Sequence, residues 1–520
     1  MQYKWKVLVA VLFGVFMVVL DTTVVNVAFQ TLRREFGAPL EQSQWIISIY
    51  VLSLGIAMPV AGFLADRYGI KRMYVGGLAG FGAGSLLCAL APSLETLIAA
   101  RALQGLGGGI AVPLGTALLF RAFPPYEQGL ALGIFGIALV VAPASGPVLG
   151  GWLVDLDAWR LIFLINVPIA AAGVVLGFRF LRESMHDQRP RWDVPGLITA
   201  VAGFGALLYA ASRAAQGGWL TAPVFGWFAL GTAALTVFAV VELQYAATPL
   251  LDLRLFGRRV FLIATVLGYI AIVALFGAEF LLPIYLQALR GETALRTGII
   301  LLPMAITAGI TMPLAGRAYD RIGPRAIMLI GFAALAYNTW QFSELDAFTP
   351  ISWIVLLLTV RGFALGMITQ TTLVSALSVV EPHALPRASS LVNSTRMVVQ
   401  AVGVAALASI VAATVSTHTA ALQRDIRPGI AHAVQTGLCQ PAPVSADVAA
   451  GSSAAQVPAP ESDRERACAE SLLGFRRAYR VTFWLSLLAA GLALLLPGWP
   501  ASWTGRRAAP RREEAVGVPL

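Results

Sequence analysis

Gly62-Phe-Leu-Ala-Asp66-Arg67-Tyr-Gly69-Ile-Lys71 and Gly316-Arg-Ala-Tyr-Asp320-Arg321-Ile-Gly323-Pro-Arg325 share one punctuation, G-x-x-x-D-R-x-G-x-[K/R], about 250 positions apart. Each copy lies where one long apolar run ends and the next begins. A charged turn repeated at matching points of two hydrophobic stretches points to a duplicated membrane protein. Duplication about a central axis builds a site that can open to either side of a membrane.

Composition agrees with that reading. The 520 residues are 58% hydrophobic and 12% charged, against the ~25% charge of soluble domains, and mean hydropathy is +0.76. Apolar runs recur along the chain, each long enough for a ~30 Å hydrocarbon core. The net charge of +10 does not indicate nucleic acid, because the basic residues sit in every second short loop, as the positive-inside rule predicts. Lys4 and Lys6 precede an apolar run that passes Asp21 and reaches Phe29 without a small-residue cleavage site. It reads as a retained first span rather than a signal peptide.

The chain is therefore expected to be an all-α polytopic membrane protein with fourteen spans. They lie at roughly 7–29, 45–64, 73–91, 96–119, 130–151, 161–180, 195–212, 222–244, 260–286, 297–315, 326–342, 351–379, 389–415 and 479–498. Arg67, Lys71, Arg72, Arg182, Arg189, Arg191, Arg254, Arg258, Arg259, Arg317, Arg321, Arg325 and the Arg506–Arg512 tail then share one side, which the charge rule makes cytoplasmic together with both termini. The repeated turn follows spans 2 and 10. That places six-helix halves at 1–181 and 259–499, two inserted helices at 182–258, and a cytoplasmic tail at 500–520. The segment 417–475, rich in Ala, Pro, Ser and Gly, is expected to be a largely disordered outer loop.

Of three cysteines, Cys88 within span 3 reads as a packing residue, while Cys439 and Cys468 share the outer loop and are a candidate disulfide in an oxidising compartment. No C-x-x-C, H-E-x-x-H or phosphate-cradling loop occurs, and the four histidines fall in loops. No catalytic site, metal or cofactor is expected, nor ATP as the direct energy source.

Charges within apolar spans are costly and mark function by default. Asp21 lies about 20 Å into span 1, where a carboxyl group can exchange a proton as its surroundings change. The plainer alternative is an Asp satisfied by Thr22, Thr23 or a nearby Arg. Glu279, nearer the outer end of span 9, would titrate, hold a cationic substrate group, or simply stand at the outer mouth. Arg101 opens Arg101-Ala-Leu-Gln104-Gly105-Leu-Gly107-Gly108-Gly109. Its guanidinium would set the protonation state of a neighbouring carboxylate, or snorkel to the interface. Arg361 and Arg396 also lie within spans, without an assignable partner. In span 5, Gly146-Pro147-Val-Leu-Gly150-Gly151 combines small residues for close helix approach with a proline that removes a helix hydrogen bond.

Together these segments resemble the major facilitator superfamily, and within it the fourteen-helix drug:proton antiporters. Gly62 to Arg72 is similar to the family's loop 2–3 signature, Gly316 to Arg325 to its second-half counterpart, and Arg101 to Gly109 to the helix 4 signature. Gly146-Pro147-x-x-Gly150-Gly151 resembles the helix 5 antiporter signature. Leu20-Asp21-Thr-Thr-Val-Val-Asn26, Trp159-Arg160 with Asn166-Val-Pro168, and Ser390-Leu-Val-Asn393-Ser-Thr-Arg396 resemble the fourteen-helix branch. The resemblance implies a major facilitator fold and multidrug efflux from the bacterial inner membrane. It makes Asp21 and Arg101 the proton-coupling residues, to which the charge in span 9 adds Glu279 as a candidate. Gly62, Asp66, Arg67, Gly69, Lys71 and Arg72 would form the cytoplasmic gate, with Asp320 and Arg321 in a diverged and weaker second copy. Asn26, Tyr50, Gln104, Glu279, Gln370 and Asn393 would line a cavity for hydrophobic, cationic or amphipathic compounds. A periplasmic adaptor protein is a candidate partner beside the lipid bilayer. The alternatives are a dedicated exporter of one metabolite, siderophore or lipid, and a non-transporting sensor or scaffold.

Overall fold

The computed structural model describes residues 2–156, 158–183, 192–217, 219, 221–246, 248–414, 438–439 and 461–498. Among them stand fourteen α-helices of 15 residues or more, and no strand. They are α1 Tyr3–Glu35, α2 Trp45–Tyr68, α3 Ile70–Ala89, α4 Leu94–Ala122, α5 Gln128–Asp155, α6 Asn166–Phe180 and α7 Val194–Gly217. After these come α8 Ala222–Val240, α9 Arg259–Pro283, α10 Ala294–Ile322, α11 Pro324–Ser343, α12 Ile351–Leu377, α13 Leu385–Ala412 and α14 Glu461–Ala493.

Eleven of these stretches are long and apolar enough to cross a bilayer; α3, α11 and α14 fall outside that set. The reason is visible in their residues. Lys71, Arg72 and several glycines dilute α3, Arg325, Asn338 and Gln341 dilute α11, and the first half of α14 is strongly charged.

Both repeated turns break their helices in the same way. Gly69 and Gly323 have φ of 98° and 79°, a left-handed conformation that glycine adopts without the cost of a Cβ. Their amides donate to the carbonyls four residues back, at Ala65 (2.8 Å) and Tyr319 (2.9 Å). The sequence repeat is thus a backbone repeat. The ends of the described residues lie at this same side of the bundle. Lys4 pairs with Glu127, and Arg325 Nε donates to the Leu496 carbonyl (2.7 Å).

Helix α4 packs against α2 and α3, α5 against α1, and α6 against α1 and α3, while α12 packs against α9, α10 and α11, and α14 against α11. Between the two groups, α2 runs along α13 and α5 along α10. One apolar cluster holds residues of α1–α6 together with the turn-side ends of α12 and α13, including Val374, Leu377 and Leu391; another holds α9–α12 and α14. Helices α7 and α8 pack on each other, and α7 also lies against α2 and α13.

On the far side, residues 461–475 depart from the disordered loop expected of them: they are the start of α14. Their charged residues hid the helix from a hydropathy reading. Cys439 and Cys468 are joined in a disulfide, with Cα atoms 5.1 Å apart. The amides of Leu438 and Cys439 donate to the Ala288 and Leu289 carbonyls, each at 2.9 Å, so the bridge ties the extension of α14 to the end of the α9 segment. The Arg189 and Arg191 linker positions, most of the outer loop and the Arg506–Arg512 tail lie outside the described residues.

Candidate functional site

Asp21 is buried at 1% exposure in the middle of α1, surrounded by polar groups from four other helices. Its Oδ2 is ion-paired with Arg101 of α4, itself 1% exposed. Oδ1 accepts from Gln104 Nε2 (2.8 Å) and Asn166 Nδ2 (3.0 Å). Ser85 Oγ of α3 accepts from the same two amides, at 2.7 and 3.2 Å. Arg101 also donates to the Ile46 carbonyl (3.0 Å) and to Gln104 Oε1 (2.7 Å), and its guanidinium carbon lies 4.1 Å from the Tyr50 ring centre.

Tyr50 and Gln104, expected to line a cavity, are thus shut inside this node at 1% and 0% exposure. Asn166 and Ser85 were not assigned to the site. Asn166 belongs to the Asn166-Val-Pro168 motif, but nothing in one sequence says that its amide points at Asp21.

Glycines make the node possible. A Cβ at Gly105 would lie 2.5 Å from the Tyr50 carbonyl, and one at Gly84 would lie 2.7 Å from the Gln104 nitrogen. Side chains there would drive α2 and α3 away from α4 and spread the polar groups. Gly146 faces Thr23, where a Cβ would fall 2.6 Å from the Thr23 Cβ, and Gly150 faces Val24, so α5 lies directly on α1 beside Asp21. A Cβ at Gly151 would meet nothing within 4 Å. Pro147 continues the helix, and its side chain lies outside the described set.

The two turns hold the helix groups together by different chemistry. Asp66 Oδ2 accepts from Arg387 Nε of α13 at 2.6 Å; Arg387 was not among the expected gate residues. Asp320 caps a helix instead. Its two carboxylate oxygens accept from the amides of Gly129 and Leu130, both at 2.9 Å, the arrangement favoured at a helix N-terminus. The diverged second copy is therefore also engaged with the opposite helix group. Gly62 and Gly316 sit where a Cβ would strike the backbone at Pro386 and Gly129, respectively. Lys71 Nζ donates to the Phe178 carbonyl (2.8 Å), and the Lys71 and Arg72 amides donate to Glu183. The Arg67 guanidinium carbon lies 5.4 Å from the Trp192 ring centre, and Arg321 is exposed.

The remaining expected cavity residues fall at different depths. Asn26 is exposed on α1; Glu279 and Asn393 are half-buried. Gln370, 2% exposed, has both amide atoms without a partner. Arg361, fully buried, donates to Asn338 Oδ1 (3.1 Å) and to the Ala274 carbonyl, and its Nε has no partner. Glu279 lies within electrostatic reach of Arg361. Arg361 on α12 and Arg101 on α4 thus occupy matching helices of the two groups, but only Arg101 is ion-paired to an acid.

Residues 11–404 match the family model described as Major Facilitator Superfamily. A multidrug resistance protein B homolog of Mycobacterium tuberculosis is 31% identical over 388 residues, covering 74% of this chain and 72% of that protein. The riboflavin transporter RibZ of Clostridioides difficile is 29% identical over 412 residues, covering 79% and 88%. The structure of the proton:xylose symporter XylE is similar in fold, with a TM-score of 0.60 at 13% identity over 95% of this chain and 96% of that one.

Proposed function

Because the chain belongs to the major facilitator superfamily, we propose that it is a proton-coupled antiporter exporting hydrophobic, cationic or amphipathic organic compounds by alternating access. The observation that carries this reading is the Asp21–Arg101 pair, sealed inside α1–α6 beside the α5 glycines. Protonation would cancel one of two charges that share a buried site. Breaking such a pair is strongly unfavourable, so the protonated and unprotonated states would favour different helix packings. A substrate that prefers one packing then exchanges with the proton.

The proposed layout is fourteen crossings of a bacterial inner membrane, with six-helix halves, α7 and α8 inserted between them, and the turn side in the cytoplasm. The basic residues of the turns support this orientation. So does the disulfide on the far side, since such bonds persist in oxidising compartments. The engaged turns correspond to a state closed on the turn side.

The test is efflux from proteoliposomes under an imposed pH gradient, with cationic, neutral and anionic compounds. Wild-type protein should move several unrelated compounds, and Asp21→Asn should abolish pH-driven movement. Undiminished transport by that variant would remove Asp21 from the mechanism. The riboflavin transporter among the relatives favours a second reading, export of one dedicated product. Transport of a single compound class from the panel would select it. No substrate-dependent proton flux with any compound would leave the sensor or scaffold reading.

A further inference from the structure

Three guanidinium groups lie deep in the helices, and they are satisfied differently. Arg101 is paired with Asp21, and Arg361 donates to Asn338 and to a backbone carbonyl. Arg396 of α13 makes no hydrogen bond or ion pair with a described residue; its electrostatic neighbour is Tyr269 of α9. Arg396 is eleven residues into its helix and Tyr269 ten residues into α9, both ~15–17 Å from the turn side at 1.5 Å per residue. That is the middle of a ~30 Å hydrocarbon core. An unpaired charge at this depth is unfavourable, and such residues mark substrate paths.

A narrow cleft between α9, α12 and α13 is lined by Arg396, Thr265, Gly268 and Thr372. Thr265 is 2% exposed, and its hydroxyl has no partner. Gly268 leaves space beside Thr372, whose Oγ1 would lie 3.3 Å from a Cβ added there. The Thr372 hydroxyl donates to the Thr369 carbonyl (3.1 Å), so the planar cation and the Thr265 hydroxyl are the donors here that a carboxylate or sulfonate requires. In this conformation the cleft is closed and leaves no room for a water-sized sphere, whereas a drug-sized pocket holds ~300–1,000 Å³. An acidic group would therefore reach Arg396 only when α9, α12 and α13 move apart, as alternating access requires.

We propose that Arg396, with the Thr265 hydroxyl, binds the acidic group of the transported molecule, so that amphipathic anions and zwitterions are substrates. Glu279 is ten residues beyond Tyr269 on α9, ~15 Å further along the helix. Opposite charges at two depths would seat a zwitterion end to end. The proposal rests on the exporter reading for its transport arm but not for its binding arm.

The binding arm uses the purified full chain in detergent, with fluorescein as anionic probe and ethidium as cationic probe, followed by fluorescence anisotropy. Arg396→Gln should weaken fluorescein binding roughly tenfold, the scale of one lost charge-assisted contact, and leave ethidium within about twofold. Arg396→Lys should keep part of the affinity, and Thr265→Val should weaken fluorescein alone. Fluorescein binding that is absent from the wild type, or unchanged in Arg396→Gln, overturns the proposal; so does equal loss of both probes, which marks a packing role. In proteoliposomes, ethidium efflux together with Arg396-independent fluorescein binding retires this inference and keeps the exporter. Arg396-dependent fluorescein binding with neither probe transported does the reverse.

Discussion

At the scale of the residue, Asp21 shows what depth in a helix does not reveal. Its position in an apolar run marks it as costly, and that much is legible from one sequence. Its partners come from α4 and α6, as many as 145 positions away, and no local spacing encodes which side chains meet there. The pair makes a definite prediction. Arg101→Ala leaves a buried carboxylate unmatched and should destabilise the protein by about 3–5 kcal/mol, and Asp21→Ala should cost a similar amount. The double variant should be less destabilised than the sum of the two, by at least ~1 kcal/mol of coupling. Thermal unfolding in detergent, followed by tryptophan fluorescence, measures all three. Strict additivity would mean that the two charges do not sense each other. Arg361 was equally visible as a buried charge, yet it bonds to an amide and a backbone carbonyl, a difference that only packing decides.

At the scale of the element, the two turns are one backbone motif with two forms of grip. Asp66 meets a side chain and Asp320 a helix N-terminus. The substitutions in the second copy, Arg317, Ala318 and Tyr319, suggested a weak latch, but Tyr319 is buried with its hydroxyl bonded to Ser375 (3.1 Å). Bulk at that position packs instead of interfering. Asp320→Ala should remove the cap from α5 at a cost of ~0.5–2 kcal/mol, and hydrogen exchange at the Gly129 and Leu130 amides should accelerate accordingly. Exchange as slow as in the wild type would show that the cap is dispensable.

Asp66→Arg and Arg387→Asp should each loosen the turn side, and the charge-reversed double variant should close it again. Spin-label distances between α2 and α13 report the opening. A double variant as open as either single one would show that the contact is not an ion-pair latch. Helix α4 offers a separate check. Gly105→Leu should prevent normal assembly, because its Cβ meets the Tyr50 backbone and not a movable side chain. Wild-type thermal stability in that variant would mean that α2 and α4 are not packed this closely.

At the scale of the whole molecule, a bridge on the far side ties the extension of α14 to the end of the α9 segment. The Cys439–Cys468 disulfide spans 29 residues, and the stacking of Tyr285 on Phe475, with ring centres 5.0 Å apart, lies next to it. Reduction, or Cys439→Ser, should lower stability by about 2–4 kcal/mol without altering the Asp66–Arg387 contact on the opposite side. Unfolding scans with and without reductant test this, and an unchanged midpoint would show that the bridge does not restrain the fold.

The sequence alone determined the membrane class, the repeated turn and the positions of most helices. Those properties rest on composition, hydrophobic length and two glycine-punctuated turns, all of them local. It also marked the charges worth following, because an ionisable residue in an apolar run is anomalous wherever it packs. Tertiary structure decided which of those charges are neutralised: Asp21 with Arg101, Asp66 with Arg387, and Arg396 with neither. Pairing depends on the approach of helices far apart in the chain, set by glycines whose missing side chains say that something comes close, but not what. For the same reason the polar start of α14 escaped a reading by hydropathy. Its charged residues look like loop until the helix is seen standing on the end of α9.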